Sequence, residues 1–198
     1  MPEIPLKVLA VSGSPRQNSL TRAVIQEVAR ELTAQNCIVD VLDLQAEPLP
    51  LFNPDISHAA AGFKPLQARV HQADLMVLST PDYHGSISST LKNFLDHFWQ
   101  EFAGKLIVPV VVSHEKGLTV VDQLRTVARQ CYAWTLPYAV SFSESDLKDG
   151  RIVSEPFQKR LEMMLRDARV YGELLARQRR ADLAGSEPGF MAKHRKPS

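Results

Sequence analysis

From Leu6 to Ser12 the chain is apolar with little alternation (LKVLAVS) and halts at Gly13, the pattern of a strand covered on both faces. Beyond the loop Gly13-Ser14-Pro15-Arg16-Gln17-Asn18, residues 19 to 34 place Leu20, Val24, Val28 and Leu32 four apart, one face of an amphipathic helix. Cys37 to Leu44 (CIVDVLDL) alternates enough for a second strand nearer a sheet edge, and Glu47-Pro48-Leu49-Pro50 then forbids regular structure, which predicts a long loop. The pattern repeats with a helix over Lys64 to Ala73 and a buried strand over Leu75 to Thr80 (LMVLST) that stops at Pro81-Asp82-Tyr83-His84-Gly85-Ser86. Ile87, Leu91, Phe94, Leu95, Phe98 and Phe102 mark a third helical face, with Ser86 or Ser88 as its N-cap.

Leu106 to Ser113 (LIVPVVVS) reads as the fourth strand, in which Pro109 cannot donate to a ladder and predicts a bulge or weakened pairing. Val121, Leu124, Ala128 and Cys131 describe a fourth helix, and Tyr138 to Phe142 a short fifth strand. A final helix carries Phe157, Leu161, Met164, Leu165, Ala168, Tyr171 and Leu175, and the basic, non-periodic stretch from Arg177 to Ser198 is expected to be a mobile tail. Strands alternating with helices imply right-handed crossovers and a parallel α/β sheet with helices on both faces.

Composition narrows the function. At 198 residues with 44% apolar content, one domain with a sizeable core is expected. The net charge of +1 supplies no field to recruit nucleic acid or an anionic membrane, so a small-molecule partner is expected, with neither nucleic acid nor membrane. Cys37 and Cys131 lie far apart with no Cys-x-x-Cys spacing, which points to core thiols rather than a disulfide framework or a metal site. With no basic-then-apolar start at residues 1–5 and no run of about 20 apolar residues, a cytoplasmic location is expected.

In open parallel sheets a ligand sits outside the carboxyl ends of the strands, so the loops after strands one, three and four are the places to look. The first loop offers hydroxyls, an amide, Arg16 and the free N–H groups of a helix start, which together favour a phosphate dianion. It lacks both Gly-x-x-x-x-Gly-Lys-Ser/Thr and Gly-x-Gly-x-x-Gly, so a monophosphate fits better than a triphosphate or a dinucleotide. The competing interpretation is that Ser14, Asn18 and Ser19 only cap a helix. The second loop sets an aromatic ring, a glycine for close approach and backbone N–H groups at the same edge, as a flat heteroaromatic ring requires; its competing interpretation is a turn with a surface tyrosine. Other chemistries of this architecture lack their residues. No thiolate opens the first loop for a phosphatase, and no acidic pair follows strand one for a phosphoacceptor site.

Gly13-Ser14-x-Arg16-x-x-Ser19-x-Thr21-Arg22 together with Pro81-Asp82-Tyr83-His84-Gly85-Ser86 and Leu91-Lys92-Asn93-Phe94-Leu95-Asp96 resembles the NAD(P)H-dependent FMN reductase family over roughly residues 6–142. The resemblance implies a flavodoxin-like three-layer sandwich, its five-stranded parallel sheet ordered 2-1-3-4-5, in an FMN-binding domain over residues 1–176. It also implies FMN as cofactor and NADPH or NADH as co-substrate, the hydride passing through flavin to FMN, a quinone, an azo compound or a metal species. By position, Ser14, Arg16, Asn18, Ser19, Leu20 and Thr21 would hold the phosphate, and Pro81, Asp82, Tyr83, His84 and Gly85 would line the ring. Ser113, His114 and Gly117 would supply the third contact, and no side chain is expected to be catalytic. Family members often have Glu and Asn at the positions of Asp82 and His84, and a glycine-rich loop where this chain has Ser113-His114-Glu115-Lys116-Gly117-Leu118. Tyr83 is a candidate contact for nicotinamide or acceptor, Glu115 and Lys116 for the entrance, and Arg22 and Lys116 for a 2′-phosphate. Phe94, Phe98, Trp99 and Phe102 suggest pairing into a homodimer or homotetramer, against the alternative of simple core packing. A flavodoxin-like electron carrier without independent turnover is the rival function, disfavoured by the absence of a strong acidic charge.

Overall fold

The computed structural model describes residues 4–195. Its centre is an all-parallel sheet whose path runs β2 (Ile38–Asp43), β1 (Lys7–Ser12), β3 (Leu75–Pro81), β4 (Leu106–Val112) and β5 (Trp134–Thr135), with β6 (Val140–Phe142) also paired to β4. Helices α1 (Leu20–Ala34) and α5 (Glu155–Ala184) cover one face, while α2 (Phe63–Gln72), α3 (Ser89–Asp96) and α4 (Leu118–Gln130) cover the other. Alternate strand residues serve the two layers. Val8, Ala10, Leu75, Val77 and Val108 join Val24, Val28 and Leu165 in one core, and Leu9, Val11, Met76, Leu78 and Ile107 join Phe94, Phe102 and Leu124 in the other. Burial on both sides explains why β1, β3 and β4 read as near-continuous apolar runs. A small antiparallel pair, β7 (Leu147–Lys148) with β8 (Arg151–Ile152), precedes α5. No helix among the described residues is long and apolar enough to cross a membrane.

The expected fifth strand, Tyr138 to Phe142, is present as β6, and the short β5 precedes it outside the expected range. The ladder between β3 and β4 runs unbroken through Leu78 opposite Pro109, but on the other side β4 pairs with β5 at Leu106 and Ile107 and with β6 from Val110 to Val112. The interruption over residues 136–139 falls opposite Val108 and Pro109, so the loss of pairing that proline imposes appears in the neighbouring strand rather than as a bulge in β4.

The C-terminal stretch differs from the expected tail. Helix α5 continues seamlessly to Ala184 and ends at Gly185, so the helix breaker lies eight residues beyond Arg177 (185 − 177 = 8). A 3-10 turn over Phe190–His194 follows and buries Met191. Arg179, Arg180 and Arg195 are engaged rather than solvated. Arg179 Nε donates to Ala103 O at 2.9 Å, Arg180 Nη1 meets Asp74 Oδ1 at 3.0 Å, and Arg195 donates to the carbonyls of Asp182 and Glu187. Residues 196–198, the end of that expected tail, lie outside the described residues. Three of the four aromatics offered for subunit pairing, Phe94, Phe98 and Phe102, are core; only Trp99 is exposed, at 55%.

Candidate active-site cleft

Three loops at the carboxyl ends of β1, β3 and β4 converge on one cleft of about 630 Å³. It is lined by Ser14, Arg16, Asn18, Ser19, Leu20 and Thr21 from the first loop, Pro81 to Gly85 from the second, and Ser113, His114 and Gly117 from the third. Every residue nominated for the phosphate, the ring or the third contact therefore lines the same hollow. Leu118 and Thr119 at the start of α4, Val112, Glu115, and the pair Ser143 and Glu144 after β6 line it too. Leu118, Thr119, Val112, Ser143 and Glu144 escaped the sequence reading, although Ser143 and Glu144 follow the last strand at the same sheet edge and obey the same positional rule.

Close packing shapes the first loop. Gly13 N donates to Ser79 O at 2.8 Å, Gly13 O accepts from Ser88 Oγ, and a Cβ at position 13 would lie 2.8 Å from both Leu91 Cβ and Ser79 O. Only glycine lets β1 turn this close to β3 and α3. Ser19 caps α1, its Oγ accepting from Arg22 N–H at 3.5 Å and sharing a hydrogen bond with Thr21 Oγ1. The N–H groups of Leu20 and Thr21 donate to no protein atom among the described residues, as expected for the first turn of a helix. Arg16 is exposed and its side chain meets no carboxylate there. Ser79 Oγ, on β3 opposite Ser12, is buried without a partner among the described residues. Hydroxyls, free N–H groups, an unpaired guanidinium and the positive end of α1 thus meet at one end of the cleft.

The second loop is a tight hairpin turn. Tyr83 and Ser86 exchange backbone hydrogen bonds at 3.0 and 3.1 Å, and His84 and Gly85 between them both have positive φ, 56° and 75°. That is the primed geometry, in which Gly85 is unstrained and His84 is not. Asp82 fastens the turn: one carboxylate oxygen accepts from Gly85 N–H at 2.8 Å and the other from Ser113 Oγ at 2.9 Å, tying the second loop to the third. Gln123 Oε1 on α4 accepts from Ser86 Oγ and Ile87 N–H, and Thr80 Oγ1 accepts from Ser88 N–H at 3.0 Å. Tyr83 stands at the rim, 40% exposed. In the third loop Lys116 and Gly117 both adopt positive φ, and a Cβ at Gly117 would lie 2.6 Å from Val111 Cγ1, so the single remaining glycine stands where a side chain has no room.

Two charged candidates take other places. Arg22 does not line the cleft; its guanidinium is committed to Asp43, Gln45 and the carbonyls of Arg16 and Gln17. Lys116 is exposed and outside the lining, whereas its neighbour Glu115 is within it. Asn93, from the motif on α3, fastens the long loop after β2, its Oδ1 accepting from Phe52 N–H at 2.7 Å and its Nδ2 donating to Pro50 O at 2.9 Å.

The chain is similar to known proteins. An FMN reductase (NADPH) of Pseudomonas aeruginosa is 31% identical over 168 residues, covering 80% of this chain and 88% of its own. An FMN-dependent NADPH-azoreductase of Staphylococcus haemolyticus is 29% identical over 171 residues, covering 81% and 90%. Among solved structures, the apo form of the NADH:FMN oxidoreductase EMOB superposes with a TM-score of 0.70 at 22% identity, covering 84% of this chain and 89% of that one. FerB, a flavoenzyme NAD(P)H:(acceptor) oxidoreductase from Paracoccus denitrificans, gives 0.69 at 17% identity, covering 87% and 98%; these two likenesses establish the flavodoxin-like fold. The model of the NADPH-dependent FMN reductase family matches residues 6–146, most of the chain and all three of the first loops, so the chain belongs to the NADPH-dependent FMN reductase family and is an NAD(P)H-dependent flavin oxidoreductase.

Proposed function

We propose that the cleft holds FMN, its phosphate against residues 14–21 and its flat ring along residues 81–85 and 113–117, and that the chain reduces small aromatic acceptors of the quinone or azo type. The observation that carries this reading is the gathering of unpaired donors at one end of a hollow whose other walls are two turns built on close backbone approach. Donors that make no ion pair among the described residues suit a phosphate dianion, and about 630 Å³ lies within the range of small-molecule sites. FMN, when bound, supplies the hydride-accepting and hydride-donating chemistry.

The chain's own residues bind and orient. Ser14, Ser19 and Thr21 offer hydroxyls, Arg16 offers charge, and the start of α1 offers N–H groups. Asp82 and Gln123 hold the turn at 83–86 in shape, so the wall beside the ring does not have to reorganise during turnover. Tyr83, at the rim, is placed to pack against the nicotinamide or the acceptor in turn. No side-chain nucleophile is needed, and none is assigned.

Two coarser expectations belong to the same reading. Pairing into a homodimer or homotetramer is supported by exposed Trp99, which borders an aromatic hollow formed with Phe52, His58, Phe63 and Phe98, and light scattering tests it. A cytoplasmic location is supported by two cysteines that remain unbonded, and fractionation of the producing cell tests it. For the activity, the purified protein is expected to show a flavin absorbance spectrum after incubation with FMN and to oxidise NADPH or NADH with a quinone or an azo dye. A protein that takes up no flavin, or one that takes it up yet turns over only when a separate reductase is added, overturns the proposal.

A further inference from the structure

Arg22 lies behind the first loop. Its Nε donates to Asp43 Oδ2 at the end of β2, its Nη1 to Gln17 O, and its Nη2 to Gln45 Oε1 at 2.9 Å and to Arg16 O at 3.5 Å. Asp43 is itself held, its Oδ1 accepting from Gln45 N–H at 3.1 Å, and the two side chains of the ion pair are 23% and 18% exposed. Among the described residues, the only other hydrogen bond made by the irregular stretch 15–18 runs from Arg16 N–H to Ser14 Oγ at 3.3 Å. Apart from that bond, the shape of the stretch depends on one side chain.

The direction of the pull matters. A trans peptide holds its C=O and the following N–H antiparallel. With the carbonyls of residues 16 and 17 drawn to Arg22, the N–H groups of Gln17 and Asn18 turn the opposite way, and neither has an acceptor among the described residues. Arg16 and Asn18 line the cleft while Arg22 does not.

We propose that Arg22 is a positioning residue for phosphate recognition: braced on Asp43 and Gln45, it pulls two loop carbonyls back and so presents the opposite N–H groups, with Arg16, to the FMN phosphate without touching it. This rests on the FMN reading above. The role needs a planar fork of donors and not merely a positive charge, so lysine cannot replace arginine.

Riboflavin carries the same ring as FMN and no phosphate, which separates loop shape from general damage. Apoprotein is titrated into FMN and into riboflavin, with binding read from flavin fluorescence, for wild type, Arg22→Lys, Arg22→Met and Asp43→Asn. FMN is expected to weaken about 10-fold to 100-fold in each variant, the loss of one or two charge-assisted hydrogen bonds, while riboflavin changes by less than about 3-fold. Unchanged FMN affinity in Arg22→Met overturns the inference. Retention of full affinity by Arg22→Lys overturns it as well, since charge alone would then suffice, and so does a parallel fall of both flavins, which marks a structural role. Failure of the wild type to bind either flavin strikes down the preceding proposal itself, an outcome visible before any variant is made.

Discussion

Adding one methyl group at position 13 is the sharpest test of how the first loop is built. The new Cβ of Gly13→Ala would lie 2.8 Å from Leu91 Cβ and 2.8 Å from Ser79 O, whereas carbon atoms prefer about 3.5–4.0 Å. Neither obstacle can swing aside, because one belongs to the backbone of β3 and the other is the first side-chain atom of a buried residue on α3. Overpacking of this kind costs about 1–3 kcal/mol. The forced separation also stretches the bonds Gly13 N–H to Ser79 O and Ser88 Oγ to Gly13 O, each contributing about 1 kcal/mol. A total of roughly 2–4 kcal/mol corresponds to a melting temperature lower by about 4–16 °C for a chain of this size. The assay is a thermal melt and urea titration of the apoprotein, so that ligand binding does not mask the change. A variant melting within about a degree of wild type would show that the turn after β1 has slack, and the argument for glycine at this position would be wrong.

Three further outcomes follow from other parts of the molecule. Tyr83→Ala is expected to raise the KM for the nicotinamide several-fold while the Kd for FMN stays within about twofold, because the ring stands at the rim; an unchanged KM in steady-state assays removes Tyr83 from substrate contact. Burial, with the nearby Arg179 guanidinium, lowers the Lys105 ammonium from 10.5 to about 7, so between those values the unfolded chain holds a proton that the folded chain lacks. The stability of wild type relative to Lys105→Met should therefore rise with pH from about 7 to about 10.5 and be at its lowest below 7; urea midpoints that keep a constant difference across this range would mean that Lys105 stays charged when buried. Met191→Ala is expected to cost about 2 kcal/mol in a urea titration, since Met191 is 2% exposed with its sulfur against Gly104, and a cost near zero would restore the image of a loose C-terminal stretch.

The parts of this fold legible from sequence are those whose signal is local. Strands β1, β3 and β4 declare themselves because burial on two faces writes an apolar run, and their ends declare the site because Gly13, Pro81 and Ser113 break those runs at the carboxyl edge. Ser19 and Ser88 are recognisable caps for the same reason. What depends on distant partners is hidden. Arg180 looks solvated until Asp74, 106 positions away, arrives beside it, and Arg179 until the carbonyl of Ala103 does. Phe94, Phe98 and Phe102 form an aromatic stripe whether it faces a second subunit or the core, and only packing decides for the core. Arg22 sits within a motif suggestive of ligand contact, yet its guanidinium turns toward β2, a choice set by Asp43 across the sheet edge. Ser143 and Glu144 follow a strand whose carboxyl end, Phe142, is legible, but the loops after the first, third and fourth strands alone leave them out.

The stretch from Arg180 to Met191 rests at the amino ends of the strands, where Arg180 meets Asp74 ahead of β3 and Met191 abuts Gly104 ahead of β4. The cleft opens beyond the other end of β4, whose seven residues span roughly 20 Å at about 3.3 Å each. A label, tether or fused protein joined after residue 195 would thus emerge on the far side from the substrate entrance. Immobilising the protein on an electrode by that end would leave the entrance open to solution.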